Sequence, residues 1–261
     1  MGFDTNVAHP ARVYDYWLGG KDNFAADREA AEQAIAAFPG VVSGMRANRA
    51  FLSRAVRYLA AEAEIRQFLD IGTGLPTVDN THEVAQRVAP ESRVVYADND
   101  PIVLSHARAL LTSSSGRTAY VHADIRDTGK ILDAARSTLD FSLPVAITLL
   151  GVLQLIPDAD DPYGIVTQLT EAIVPGSYLV ISHPTCDIDT AAMTEMAKRL
   201  NERSAPAHMT LRTHAQISRF FDGLDLLEPG LVPVNRWRPD SGAVLQPVRD
   251  VPNYCGVARK L

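Results

Sequence analysis

From residue 67 onward the chain repeats one pattern, a short apolar run, a polar turn and then a stretch with helical spacing. The apolar runs fall at 67–71, 93–97, 119–123, 145–150 and 178–182, and helix candidates at 81–88, 101–111, 131–139 and 162–173 fill the gaps. Strands that alternate with helices pair through right-handed crossovers, which demands a mostly parallel sheet with helices on both faces. Asp100-Pro101 opens one helix, with the acid as cap and the proline at the first position. Pro175-Gly176 turns the chain into the fifth run. Beyond it the spacing predicts helices at 190–201 and at 214–221, the second capped by Thr213 and ended by Gly223. Strands follow near 224–228 and 254–258, with 232–237 extended between them or paired on a strand. The segment 239–252 reads as an exposed connection.

Residues 1–66 have a different rhythm. An alanine-rich helix at 25–38 stops at Pro39-Gly40. A second helix, about 43–64, carries Met45, Phe51, Leu52, Val56 and Leu59 along one stripe. No linker separates these helices from 67–261, so they are expected to form a helical cap or lid within the same domain as the α/β core. A chain of 261 residues, 46% hydrophobic and 21% charged, can bury such a core.

The net charge of −6 gives no general attraction to nucleic acid or to an anionic membrane, although Arg46, Arg49, Arg54 and Arg57 offer a local basic patch. No apolar run approaches the ~20 residues of a membrane span. Asp4, Asp15 and Asp22 arrive too early for a secretory leader, so the cytoplasm is the default location. Cys186 and Cys255 make neither a disulfide framework nor a metal motif.

Open parallel sheets bind ligands outside the carboxyl ends of their strands. Each run here delivers a contact at that end. The first closes on Asp70 and opens the turn Gly72-Thr73-Gly74, whose glycines let backbone approach a ligand closely. The second ends in Asp98-Asn99, 28 residues after Asp70, where a carboxylate can receive both hydroxyls of a ribose. The third ends in Asp124-Ile125, an acceptor for an adenine amine beside an apolar ring contact. The fourth leads into an apolar wall at 149–153 that includes Leu150.

Together these make an adenosine pocket without a phosphate-binding lysine. A dinucleotide site wants a third glycine near position 77, where Leu75-Pro76-Thr77 stands instead. The long loop from Gly74 to Asp79 suits a ligand with an amino-acid tail, which favours S-adenosylmethionine over NAD.

The arrangement resembles the class I S-adenosylmethionine-dependent methyltransferases, whose strand-end acids and glycine loop look like Asp70–Gly74, Asp98 and Asp124. More narrowly, five segments resemble an actinobacterial family grouped with methyltransferases on fold grounds, its substrates unassigned. They are HPARVYDYWLGGKDNF (9–24), FLDIGTGLPT (68–77), VVYADNDPIVLSHARALL (94–111), VLQLIPD (152–158) and FFDGLDLLEPGLVPVNRWRP (220–239). The resemblance implies a Rossmann-like fold with a mostly parallel seven-stranded sheet. It also implies S-adenosylmethionine as methyl donor and S-adenosylhomocysteine as product. Many class I members carry histidine where Gln154 stands, and the third glycine of the looser loop pattern is missing.

The acceptor side is read more loosely. Tyr14, Trp17, Lys21 and Asn23, in an N-terminal segment rich in aromatics, would line it if that segment is a lid; a helix merely docked by Tyr14 and Trp17 is the plainer alternative. His183, following the fifth strand, is the candidate general base. His82, His106 and His122 read as surface groups, and Asp158, Asp160 and Asp161 as a solvated turn, so no metal site is expected. Trp237, between two arginines, is read as packing first and as an acceptor contact second. The expected acceptor is a small molecule, neither membrane nor nucleic acid, and the sequence fixes no oligomeric state. Two other readings remain: an S-adenosylmethionine-binding or regulatory protein without turnover, and an NAD(P)-dependent oxidoreductase using the same acids.

Overall fold

The computed structural model describes residues 4–76, 79–103, 105, 117–203, 208–240 and 249–261. Three N-terminal helices come first: α1 (Pro10–Trp17), α2 (Ala25–Ala37) and α3 (Val41–Ala61). The alternating region follows as β1 (Gln67–Ile71), α4 (Thr81–Val88), β2 (Arg93–Asp98), β3 (Thr118–His122), α5 (Thr128–Ala135), β4 (Ala146–Leu150), α6 (Pro162–Glu171) and β5 (Tyr178–Pro184). The chain ends with α7 (Thr190–Asn201), α8 (His214–Ser218), β6 (Asp225–Leu226), β7 (Val232–Pro233) and β8 (Asn253–Arg259). The helix expected at 101–111 is helical at 101–103 and 105, where Ile102 N–H donates to Asp100 Oδ1 at 2.9 Å; the rest, including His106, lies outside the described residues.

Eight strands form one sheet in the order β3-β2-β1-β4-β5-β8-β6, with β7 added on β8. The first five pair in parallel, and β8 runs antiparallel to β5, β6 and β7. The extra strand beyond the expected seven arises because Val232 pairs with Cys255, the paired alternative for 232–237.

Alternation along the strands divides the core. Phe68, Val94, Tyr96 and Val180 face one layer, covered by α4 and by Phe51, Leu52, Val56 and Leu59 of α3. Leu69, Val95, Ile147 and Ile181 face the other, covered by α5 and α6. Trp237 is fully buried in the first layer, edge-on to Phe51 at 5.4 Å, so its role is packing.

A third cluster lies over the carboxyl ends of the strands. Val13 and Trp17 of α1, Ala30, Ala31 and Ala34 of α2, Val41 of α3, and Met193, Met196 and Leu200 of α7 make it. The helical layer above the sheet therefore joins the N-terminal helices to α7, which follows β5. Its loops are fixed by buried acids. Asp27 accepts from the amides of His9 and Phe24, each at 2.8 Å, and from Arg12 Nε at 3.1 Å. Asp15 accepts from Asp22 N–H at 3.0 Å and Asn23 Nδ2 at 2.8 Å. No helix among the described residues is long and apolar enough to cross a membrane.

Candidate functional site

Strand order reverses between β1 and β4, and the crevice outside that reversal is where such sheets hold ligands. A cavity of about 450 Å³ opens there, roofed by α1, α3 and α7. Asp70, Gly72, Thr73 and Gly74 line it from β1, Asp98 and Asn99 from β2, and Asp124 and Ile125 from β3. Leu150 lines it from β4, and Tyr14 and Trp17 line it from α1.

The loop after β1 is shaped by two glycines for different reasons. Gly72 has φ +74, and a Cβ there would meet Val152 Cγ2 at 2.5 Å, so neither conformation nor space allows a side chain. Gly74 has φ +65 but faces open cavity, with nothing within 4 Å of a Cβ built there. Its amide donates to Asp98 Oδ2 at 2.8 Å, while Asp100 N–H donates to Asp98 Oδ1 at 2.9 Å. Each Asp98 oxygen thus spends one lone pair on backbone and keeps another. Burial pushes the Asp98 carboxyl up, and the two amides and His9 pull it back without reversing the shift.

Asp70 plays another part. It is only 4% exposed, and its oxygens accept from Thr81 Oγ1 at 2.6 Å and Thr148 Oγ1 at 2.8 Å. The carboxylate ties β1 to β4 and to the first turn of α4, while the Gly74 amide bonds to Asp98. Burial raises its pKa, against the two hydroxyls.

Asp124 is saturated. Oδ1 accepts from the Arg126 amide at 2.9 Å and Arg126 Nη1 at 3.1 Å, and Oδ2 from Asn99 Nδ2 at 3.2 Å and the same Nη1 at 3.1 Å. A carboxylate offers about four such positions, so none remains for an adenine amine. Burial would raise its pKa, but these donors hold it below the ordinary carboxylate range. Arg126 also donates to Asp160 Oδ2 at 2.8 Å. Asp158, Asp160 and Asp161 are exposed, as expected of a solvated turn, and they also serve as anchors, since Asp158 takes Arg212 and Asp161 caps α6 through Gly164 N–H at 3.0 Å. No metal-holding cluster occurs among the described residues.

Three expected contacts fall elsewhere. His183 is fully buried on β5 and does not line the cavity. Its Nδ1–H donates to Pro184 O at 2.7 Å and its Nε2 accepts from Arg212 Nη1 at 2.8 Å, while burial brings its pKa down to about 3. A sealed imidazole with both nitrogens engaged cannot reach an acceptor, and the general-base reading is withdrawn. Lys21 is exposed and away from the cavity. Asn23 clamps its own loop through Asp15 and Gly20 O.

Sequence reasoning also missed two residues that hold the site together. Arg212, fully buried, donates to Leu153 O at 3.0 Å, Ile156 O at 2.8 Å and Asp158 Oδ1 at 2.6 Å, pinning the segment after β4. His9, at the N-cap of α1, sits 3.0 Å from Asp100 Oδ2 and joins that helix to the end of β2. The His9-Pro10 pair marked a helix start, but its partner 91 residues away left no local signal.

The family model of S-adenosyl methyltransferases matches residues 1–261. A DUF574 family protein from Streptomyces avermitilis MA-4680 is 49% identical with a TM-score of 0.94, over 99% of both chains. A candidate methyltransferase from Thermobifida fusca YX is 42% identical with a TM-score of 0.90, over 98% of this chain and 96% of that one. The plantazolicin methyltransferase BpumL in complex with SAH is 11% identical with a TM-score of 0.54, a likeness of fold alone over 96% of this chain and 95% of that one. No curated protein matches the sequence.

Proposed function

This chain belongs to the S-adenosyl methyltransferase family, and from that premise we propose that its cleft holds the donor at the strand ends and a small-molecule acceptor beneath the helical layer. The protein is an S-adenosylmethionine-dependent methyltransferase. The bound donor supplies a methyl group already activated on a sulfonium, so alignment is the protein's main task.

The observation that carries the assignment of residues is the Asp98 carboxylate, held by the Gly74 and Asp100 amides with a lone pair left on each oxygen at the cavity wall. That is the chemistry for a pair of ribose hydroxyls. Gly74 leaves room beside it, and Gly72 keeps the turn close to Val152. Arg49 lines the cavity and donates to Asp79 O at 3.2 Å, which puts a cation by the long loop for the donor's carboxylate. Ile125 and Leu150 supply apolar walls, and Asp124 serves the adenine side by fixing Asn99 and Arg126. Residues 1–66 act as the lid of the same domain: α3 packs on the sheet, while His9 and Tyr14 fasten α1 to β2 and α3. A concave, largely apolar chamber under that lid suits a small molecule better than a nucleic acid.

Calorimetric titration with S-adenosylhomocysteine and with NAD⁺ tests this reading. One molecule of S-adenosylhomocysteine should bind per chain and NAD⁺ should not compete; tighter binding of NAD⁺ would defeat it.

A further inference from the structure

Away from the strand ends the cavity changes character. Trp17, Met45, Met193, Met196 and Leu200 form its walls, and the carboxylates among its described lining residues, Asp70, Asp98 and Asp124, all stand at strand ends. Within this region three side-chain amide oxygens are buried without a hydrogen-bond partner: Asn48 Oδ1, Gln154 Oε1 and Asn253 Oδ1. All three residues line the cavity, and Asn48 and Asn253 are each only 4% exposed. Gln154 is oriented by its Nε2, which donates to Gly151 O at 2.6 Å and leaves Oε1 as the atom over. Asn48 Nδ2 donates to Tyr14 Oη at 3.3 Å. A Cβ on Gly151 would lie 3.7 Å from Gln154 Nε2 and 3.8 Å from Asn48 Nδ2, so both amides meet at the end of β4, beside the strand reversal.

A buried carbonyl oxygen without a donor costs free energy that a ligand can return by supplying an N–H or O–H. We infer that the acceptor is a neutral amine on an apolar body, its N–H groups directed at Asn48 Oδ1 and Gln154 Oε1. This rests on the reading of the strand ends as the donor site.

The charge pattern separates the alternatives. At the two amides a carboxylate or thiolate acceptor would bring negative charge against oxygen lone pairs, and the lining cation on α3, Arg49, reaches Asp79 O in the loop after β1, where it is assigned to the donor's carboxylate. A hydroxyl must lose its proton as it reacts, and neither amide oxygen can take it; His183 is sealed elsewhere, and the histidine that does line the cavity, His9, is engaged through Nδ1 with Asp100 beyond the end of β2. An amine needs no base before attack. Its lone pair forms the N–CH₃ bond while the S–CH₃ bond breaks and that electron pair stays on sulfur. Positive charge then grows on nitrogen, facing the two carbonyl dipoles, and the methylammonium gives its proton to water on leaving. The methionine walls accommodate an apolar body of varied shape.

The test uses the full-length protein saturated with S-adenosylhomocysteine at pH 7. It is titrated with aniline and 2-naphthylamine, and with the phenol, thiol and carboxylic acid of each skeleton. At least one amine should bind about 10-fold or more tightly than its matched phenol, the size of one charge-free hydrogen bond retained or lost. Asn48→Leu and Gln154→Met should each erase that preference while S-adenosylhomocysteine affinity stays within about twofold. With the donor loaded, the same amine should gain one CH₂ in mass. An amine series no tighter than the phenols, a preferred acid or thiol, or a preference untouched by both substitutions overturns the inference. Failure of S-adenosylhomocysteine to bind in the loading step would instead remove the donor-site reading on which it stands.

Discussion

At the strand ends the cleft wall is backbone and carboxylate: the Gly72–Gly74 turn, the Asp98 carboxylate bridging two amides, and Asp124 saturated by Arg126 and Asn99. Under the helices it is mostly thioether and ring, with the side-chain amides of Asn48 and Gln154 among its polar groups. The first wall is positioned by sheet register, since Asp70 pairs with Tyr96, and Asp98 with His122, one strand after another. The second is positioned by packing of α1, α2, α3 and α7 against one another. A register-set wall is stiff and suits one invariant ligand; a side-chain-packed wall can be reshaped by exchanging a few apolar groups. On the function proposed above, that division lets one sheet carry a fixed donor and a chain-specific acceptor.

The sharpest way to break the stiff wall is at Gly72. Gly72→Val must adopt φ +74 and collide with Val152, so we expect a loss of roughly 3 kcal/mol or more in urea unfolding. Gly74→Ala meets only the conformational penalty, about 1–2 kcal/mol, because its Cβ would enter open space. Equal losses at the two positions would show that the contact with Val152 is not what holds the turn.

A smaller effect probes the anchor behind the segment that separates the two walls. His183 titrates near 3 when folded, below its ordinary 6.5, because burial disfavours the charged ring. The unfolded chain therefore binds more protons between those values, and stability falls as pH drops through that window. The contribution is fully present above pH 6.5 and is lost at up to about 1.4 kcal/mol per pH unit below it. Between pH 7 and 5 the protein should lose about 2 kcal/mol more than His183→Gln, which can still accept from Arg212. Parallel stability curves would place the titrating group elsewhere.

The stiff wall was largely legible in the sequence and the packed wall was not. Gln67–Ile71 and Thr81–Val88 were read to the residue because apolar period and caps agree locally there; Thr190–Asn201 of the packed wall was also read to the residue, but not what it packs against. Asp98 and the two glycines followed from strand ends for the same reason. The chamber is assembled from α1, α3, α7 and Met209, which meet only through tertiary packing. His183 misled because a histidine after a strand looks the same whether it faces a cleft or, as here, a buried arginine 29 residues later. Asp124 was overread for a nearer reason, the Arg126 that neutralises it two residues on. Lys21 and Asn23 belong to a turn that satisfies buried Asp15, an acid whose burial leaves no local signal in the sequence.

The central claim, that donor binding belongs to the strand ends and not to the helical chamber, is tested most directly by one pair of calorimetric titrations with S-adenosylhomocysteine. Asp98→Ala removes the carboxylate that would take the ribose hydroxyls, and Met196→Ala opens the chamber wall while leaving that carboxylate in place. The account predicts an affinity lower by about 30- to 100-fold for Asp98→Ala, the cost of charge-assisted hydrogen bonds, and a change within about twofold for Met196→Ala. An Asp98→Ala protein that binds S-adenosylhomocysteine like the parent, or a Met196→Ala protein that loses it, would contradict the division of the cleft.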